Sequence, residues 1–295
     1  MNDLIWVALA GFAASLVDGA LGMGFGPTSS SILLGTGLSP ASVSTTVNLA
    51  KVVTGIVAAL SHWRFRNVSR RLVLQLALPG CIGAILGVTV LSKVDGDTLR
   101  PALAVLLFVM GLRILWRFRK PMPSGNGGAG VEDAPLRQLP SDDRGVLVAG
   151  AAGGVTNGMI GAWGPVVTPY LMHRRVAPRY AVGSVNTAEV AVAAMSVASL
   201  LTALGSGELD LSVVLAMLAG GVVAAPVAAW FVRHVPARPM GVAVAAMLLL
   251  TNARELVTWS QLGDLRWLVY SAVSIAVALT ALLPRLRGAH SGLTR

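Results

Sequence analysis

The sequence predicts an all-α polytopic membrane protein made of two inverted-topology repeats, each starting with a broken-helix hairpin. Composition, long uncharged runs and an internal duplication predict it. Of 295 residues, 55% are hydrophobic and 12% are charged, against roughly 25% charged in a soluble domain; the mean hydropathy is +0.72. Stretches 72–91, 145–173, 211–232 and 267–283 contain no Asp, Glu, Lys or Arg. Each is about as long as a helix needs to cross hydrocarbon, roughly 20 residues. An offset of 138 (164 − 26) lays Gly26-Pro27 on Gly164-Pro165, Pro40 on Pro178, and Val47-Asn48 on Val185-Asn186. It also lays Ala50 on Ala188 and Arg100-Pro101 on Arg238-Pro239. Gap-free agreement over this distance marks two structural repeats.

The elements follow in order. Residues 4–36 are apolar but interrupted by DGALGMGFGP (18–27). Gly19, Gly22, Gly24 and Gly26 break a helix there, and Pro27 suits the first turn of the next one. A third apolar element runs to SHWRFRNV (61–68), followed by helices at about 72–91 and 98–118. The first repeat is thus 1–118, and 119–144, rich in Pro, Gly and charge, is a linker. The second repeat, 145–287 with a C-terminal helix, opens with TNGMIGAWGP (156–165), broken again at Gly161 and Gly164-Pro165.

Basic residues set the orientation. The chain carries a net charge of +10. Its arginines cluster where apolar runs end, at 62–71, 113–120 and 173–179, and not in one patch. That distribution fits the positive-inside rule and argues against a nucleic-acid partner. If 145–173 crossed once, HRRVAPR would lie outside and the acidic GELD (207–210) inside; a broken hairpin restores the rule at every loop. The same reading of 4–36 puts the N-terminus outside and the linker and C-terminus in the cytoplasm. The repeats are then antiparallel, as in many secondary transporters of the cell membrane.

Several classes drop out. Cys81 is alone, so neither a disulfide framework nor a Cys-based metal site is expected. The four histidines fall at helix ends or in the tail, and no metal or cofactor is expected. The N-terminal stretch lacks a basic leader and reads as a mature helix. Neither glycine-rich stretch has phosphate-loop spacing, and the chain lacks the signatures of an intramembrane enzyme.

What remains is an anion site. Unwound backbone at membrane depth belongs where protein or a wet cavity surrounds it, and a half-helix N-terminus offers N–H groups and positive dipole to an anion. Gly24, Gly26 and Gly164 would line such ends; tight glycine packing between helices is the other reading. Asp18, Lys51 and Glu189 are ionisable residues inside apolar segments, each needing a partner, a cavity or a shifted pKa. Lys51 and Glu189 are equivalent under the offset, and each follows an asparagine by three residues, Asn48 and Asn186. That spacing shares a helix face. Lys51 with Asn48 and Asn186 would hold the anion, and Glu189 or Asp18 would carry a coupling proton. The alternatives are a purely structural Lys51–Glu189 salt bridge and an Asp18 that caps a helix. Ser29, Ser30 and Thr46 would donate to substrate oxygens or bond back to their own helix. Trp163 would wall the pocket or pack.

At GALGMGFGP, GMIGAWGP and SHWRFRNV, and in its repeat length, the chain resembles the TauE/SafE family of membrane permeases. The resemblance implies inverted repeats and movement of sulfite or organosulfonates, usually outward. Family members often carry histidine and an acid where this chain has Asn48 and Lys51, which points to a lysine-held substrate. The expected function is an alternating-access exporter of a small anion, with the lipid bilayer and protons as its other partners. An importer of a small carboxylate is the alternative.

Overall fold

The computed structural model describes residues 2–21, 24–118, 144–174, 176–234, 237–261 and 263–291. The expected linker, save Arg144, lies outside them, as do Gly22 and Met23. The described residues form helices joined by short turns and loops, with no strand among them. The first half contains α1 (Asn2–Leu21), α2 (Phe25–Gly35), α3 (Pro40–Arg64), α4 (Arg70–Lys93) and α5 (Gly96–Arg117). The second contains α6 (Arg144–Ile160), α7 (Gly164–His173), α8 (Pro178–Leu204), α9 (Leu211–His234), α10 (Ala237–Ser260) and α11 (Arg266–Ser291). Helices α3, α4, α5, α8, α10 and α11 hold the six segments long and apolar enough to cross a membrane.

Local chemistry sets the helix ends. Ser39 accepts the Ser42 N–H at 3.0 Å ahead of Pro40, which fixes the start of α3. Ser69 and Asp95 cap α4 and α5 in the same way. Both expected interruptions are present. Gly19, expected to break the first helix, lies inside α1, and α2 begins at Phe25, two residues before Pro27. One glycine in a helix costs only about 1 kcal/mol relative to alanine, so the break falls where the glycines are densest.

The first helix of each half packs on the fourth helix of the other: α1 on α9, and α6 on α4. Glycines make both seams. A Cβ on Gly83 or Gly87 of α4 would come within 2.1 and 2.3 Å of the Ala151 and Val155 carbonyl oxygens. One on Gly154 or Gly158 of α6 would come within 2.0 and 2.4 Å of those of Gly80 and Ala84. Between α1 and α9, Gly11 faces the Met217 carbonyl and Gly220 faces that of Ala8, at 2.1 and 1.9 Å by the same measure. In lipid, where association relies on close packing, such contacts hold helices together. The third helices pair with each other, α3 on α8, as do the fifth, α5 on α10; α11 packs against α10. Apolar side chains such as Leu78, Ile82, Val222 and Ile275 face outward, as a multi-pass protein in hydrocarbon requires.

Candidate functional site

The two interruptions meet. A Cβ added to Gly26 would lie 1.8 Å from the Gly161 carbonyl oxygen, so the first turn of α2 rests directly on the backbone of the second break. Gly161 has φ +66°, a left-handed conformation that glycine adopts freely. Its N–H still bonds to the Asn157 carbonyl, at 2.7 Å.

A side chain clamps each break six residues on. Asp18, near the end of α1, reaches forward so that one carboxylate oxygen accepts the N–H groups of Gly24 and Phe25 at 3.0 and 3.3 Å. At the position 138 residues later, Thr156 donates its hydroxyl to the Ala162 carbonyl at 2.6 Å. The carboxylate suits the electropositive start of α2. The far end of α2 is held as well, since Arg100 donates to the Gly37 and Leu38 carbonyls at 2.8 and 3.0 Å. Replacing Asp18 with alanine is expected to lower stability by about 0.5–2 kcal/mol, the scale of a lost N-cap, and asparagine to retain most of it. Thermal unfolding in detergent reads the difference.

The carbonyl end of α6 is bonded by donors from the first half. Ser44 donates to the Gly158 carbonyl at 2.7 Å, Ser30 to that of Ile160 at 2.5 Å, and Asn48 to that of Asn157 at 3.0 Å. Asn48 and Asn157 also join side chain to side chain at 2.6 Å, and Asn157 donates onward to Ser196 at 3.1 Å. The Gly158 and Ile160 carbonyls are ones a terminating helix leaves open, and orphaned in apolar surroundings each would carry a large desolvation penalty; the Asn157 carbonyl accepts the Gly161 N–H as well. Three buried side-chain oxygens, Oγ1 of Thr28, Oγ1 of Thr168 and Oδ1 of Asn157, have no partner among the described residues.

One turn beyond Asn48 on α3, Lys51 forms an ion pair with Glu189 of α8. The two side chains are 7% and 18% exposed, so the pair is largely withdrawn from solvent. The family model for "Sulfite exporter TauE/SafE" matches residues 7–254. The chain belongs to the TauE/SafE family. It is 38% identical over 291 residues to the "Probable membrane transporter protein YtnM" of Bacillus subtilis (strain 168), covering 96% of this chain and 92% of that protein. No solved structure matches. A TauE/SafE protein is a membrane transporter, which is not an enzyme class.

In this TauE/SafE chain the expected site residues fall into three groups. Lys51, Glu189, Asn48, Gly26 and Gly164 gather around the meeting breaks, with Asp18 and Gly24 forming the clamp at the first. Asn186 does not join Asn48. Its amide lies 3.5 Å from His62 Nε2, near the opposite end of α3, and residues 48 and 62 of one helix are about 20 Å apart at 1.5 Å per residue. Because α8 crosses α3 with its N-terminal end near the 65–69 loop, equivalent positions diverge on either side of the Lys51–Glu189 contact; Ser69 N–H donates to Ser184 there at 3.0 Å.

The third group is packing. Ser29 bonds back to the Phe25 carbonyl at 2.6 Å, and Thr46 is buried. Trp163 is fully buried in the core around Leu72, Val167 and Leu171, its indole N–H donated to the Val185 carbonyl at 3.2 Å. Gly80 and Gly153 make its slot, where an added Cβ would lie 2.8 and 3.0 Å from the ring. Sequence reasoning missed Asn157, Ser44 and Ser196. The available signal was an asparagine three residues before the end of a helix, in an otherwise apolar run.

Proposed function

We propose that this transporter works by alternating access and exports a small anion, sulfite or an organosulfonate, with Lys51 as the group that draws the anion in. The observation that carries the reading is a largely buried Lys51–Glu189 pair one helical turn from two helix interruptions in direct contact. A cation at this depth is costly unless it is paired or used, and non-helical backbone at membrane depth is a feature of transporter sites. Glu189 is the proton carrier, and Asp18 is the second carboxylate near it.

The inverted repeat belongs to the same proposal. It is supported by the exchanged pairings of α1 with α9 and α6 with α4, and by an ion pair between residues 138 apart. The paired clamps at Asp18 and Thr156 add to it. The orientation, with the N-terminus outside and both linker and C-terminus in the cytoplasm, is supported by the ends of α3 and α4. Arg64, Arg66, Arg70 and Arg71 lie there with exposed Trp63 and Phe65, while Asp95 and Asp97 lie at the other end of α4.

Counterflow in proteoliposomes tests the reading, with sulfite, sulfoacetate, taurine and acetate as competitors. Sulfite or a sulfonate is expected to compete best. A carboxylate substrate is the second reading, and one feature favours it: the anion already seated on Lys51 is a carboxylate. Preference for acetate over every sulfur compound would select it.

A further inference from the structure

Lys51 already holds an anion, the carboxylate of Glu189. A substrate anion that is to sit on this ammonium must take the place of that carboxylate. If Glu189 stayed ionised, the site would hold one cation against two anions in surroundings where an uncompensated charge is strongly disfavoured. Protonating Glu189 removes the conflict.

We propose, resting on the anion-transport reading above, that substrate enters only together with a proton. The carboxylate of Glu189 takes up one proton and becomes a neutral acid, its contact with Lys51 breaks, and the anion occupies the vacated position on the ammonium. Lys51 keeps all its protons throughout. On the far side the anion leaves, Glu189 gives up its proton, and the pair closes again. Before and after binding of a monovalent anion the buried charge is the same, so anion and proton cross in the same direction, one for one, and no net charge moves.

The groups around Glu189 fit this assignment. Lys51 of α3 touches it, and Asp18, at the end of α1, is close enough to act on it through space. The other charged residues and the histidines of α3, α4, α6 and α7, which pack on α8, stand at helix ends: His62 and Arg64 on α3, Arg70, Arg71 and Lys93 on α4, Arg144 on α6 and His173 on α7; Cys81 in the middle of α4 and Tyr170 on α7 are the remaining titratable side chains there. Asp18 is tied to the backbone across the first break. Glu189 is the carboxylate whose contact the substrate has to replace, which makes it the seat of the proton.

Methanesulfonate is the probe, because it stays a monovalent anion at every accessible pH and brings no proton of its own. Proteoliposomes of the full chain with an entrapped pH dye are expected to acidify inside as labelled methanesulfonate enters. At equilibrium the anion should accumulate about tenfold on the alkaline side for each pH unit of gradient. A potassium-diffusion potential without a pH gradient should drive no accumulation. Glu189→Gln should lose the proton movement and at least about ten-fold of net uptake, since its empty carrier would hold an unpaired cation, yet still exchange labelled for unlabelled anion at a measurable rate. Uptake that follows the membrane potential, or protons leaving as the anion enters, would overturn the inference while leaving anion transport standing. So would net pH-driven uptake by Glu189→Gln at the wild-type rate. Failure of methanesulfonate, sulfite and acetate alike to show counterflow would overturn the anion-transport reading, and this inference with it.

Discussion

Lys51→Met is expected to abolish transport and to lower stability by about 3–5 kcal/mol, the cost of stranding one member of a buried ion pair. Glu189 would remain at 18% exposure with its countercharge gone. The double variant Lys51→Met/Glu189→Gln separates the two roles of the pair. Replacing both ions with neutral groups of similar size is often close to neutral for folding, so the double variant should regain most of the lost thermal stability. It should not regain counterflow, because no cation remains to hold the anion. Both measurements come from one detergent-purified sample, unfolded thermally in one aliquot and reconstituted in another. Wild-type counterflow in the double variant would reduce the pair to a strut between the halves.

Gly26→Ala should be comparably damaging, for steric reasons. The new methyl would come 1.8 Å from the Gly161 carbonyl oxygen and 3.2 Å from the Ala162 Cα. Both are backbone atoms, so no side chain can turn aside. Overpacking a tight contact costs about 1–3 kcal/mol, and more where neither side can yield. Here the breaks would have to separate, straining the bond from Ser30 to the Ile160 carbonyl and that from Asn48 to the Asn157 carbonyl. Loss of counterflow together with a lowered unfolding temperature is expected. Gly207→Ala is the control, since its Cβ would meet nothing within 4 Å, and it should behave as the parent.

Much of this was legible in the chain. The glycine-proline interruptions at 24–27 and 161–165 announced themselves because a helix former would never place them in an apolar run. The Lys51–Glu189 contact followed from the 138-residue offset together with the cost of lone charges in lipid. Asn186 misled, because equivalence under a repeat says nothing about how far two helices diverge from their crossing point. For Trp163 the sequence left walling the pocket and packing open, and the structure shows packing. Its place in the core depends on slots left by Gly80 and Gly153, and the nearer of these in sequence is ten positions away. The bonding of the α6 carbonyls by Ser30, Ser44 and Asn48 spans more than a hundred residues of sequence, so no local pattern could announce it.

The pairing of α1 with α9 bears on how the protein is made. The first helix is complete by Leu21, and its partner starts at Leu211. At about 5–20 residues per second, synthesis of the intervening chain takes roughly 10 to 40 seconds. Throughout that interval the glycine face of α1, with Gly11 at its centre, has nothing to close upon. A segment that leaves the ribosome long before its partner therefore waits to find its place, and the two halves, produced as separate polypeptides, would each carry an opening helix bereft of its seat.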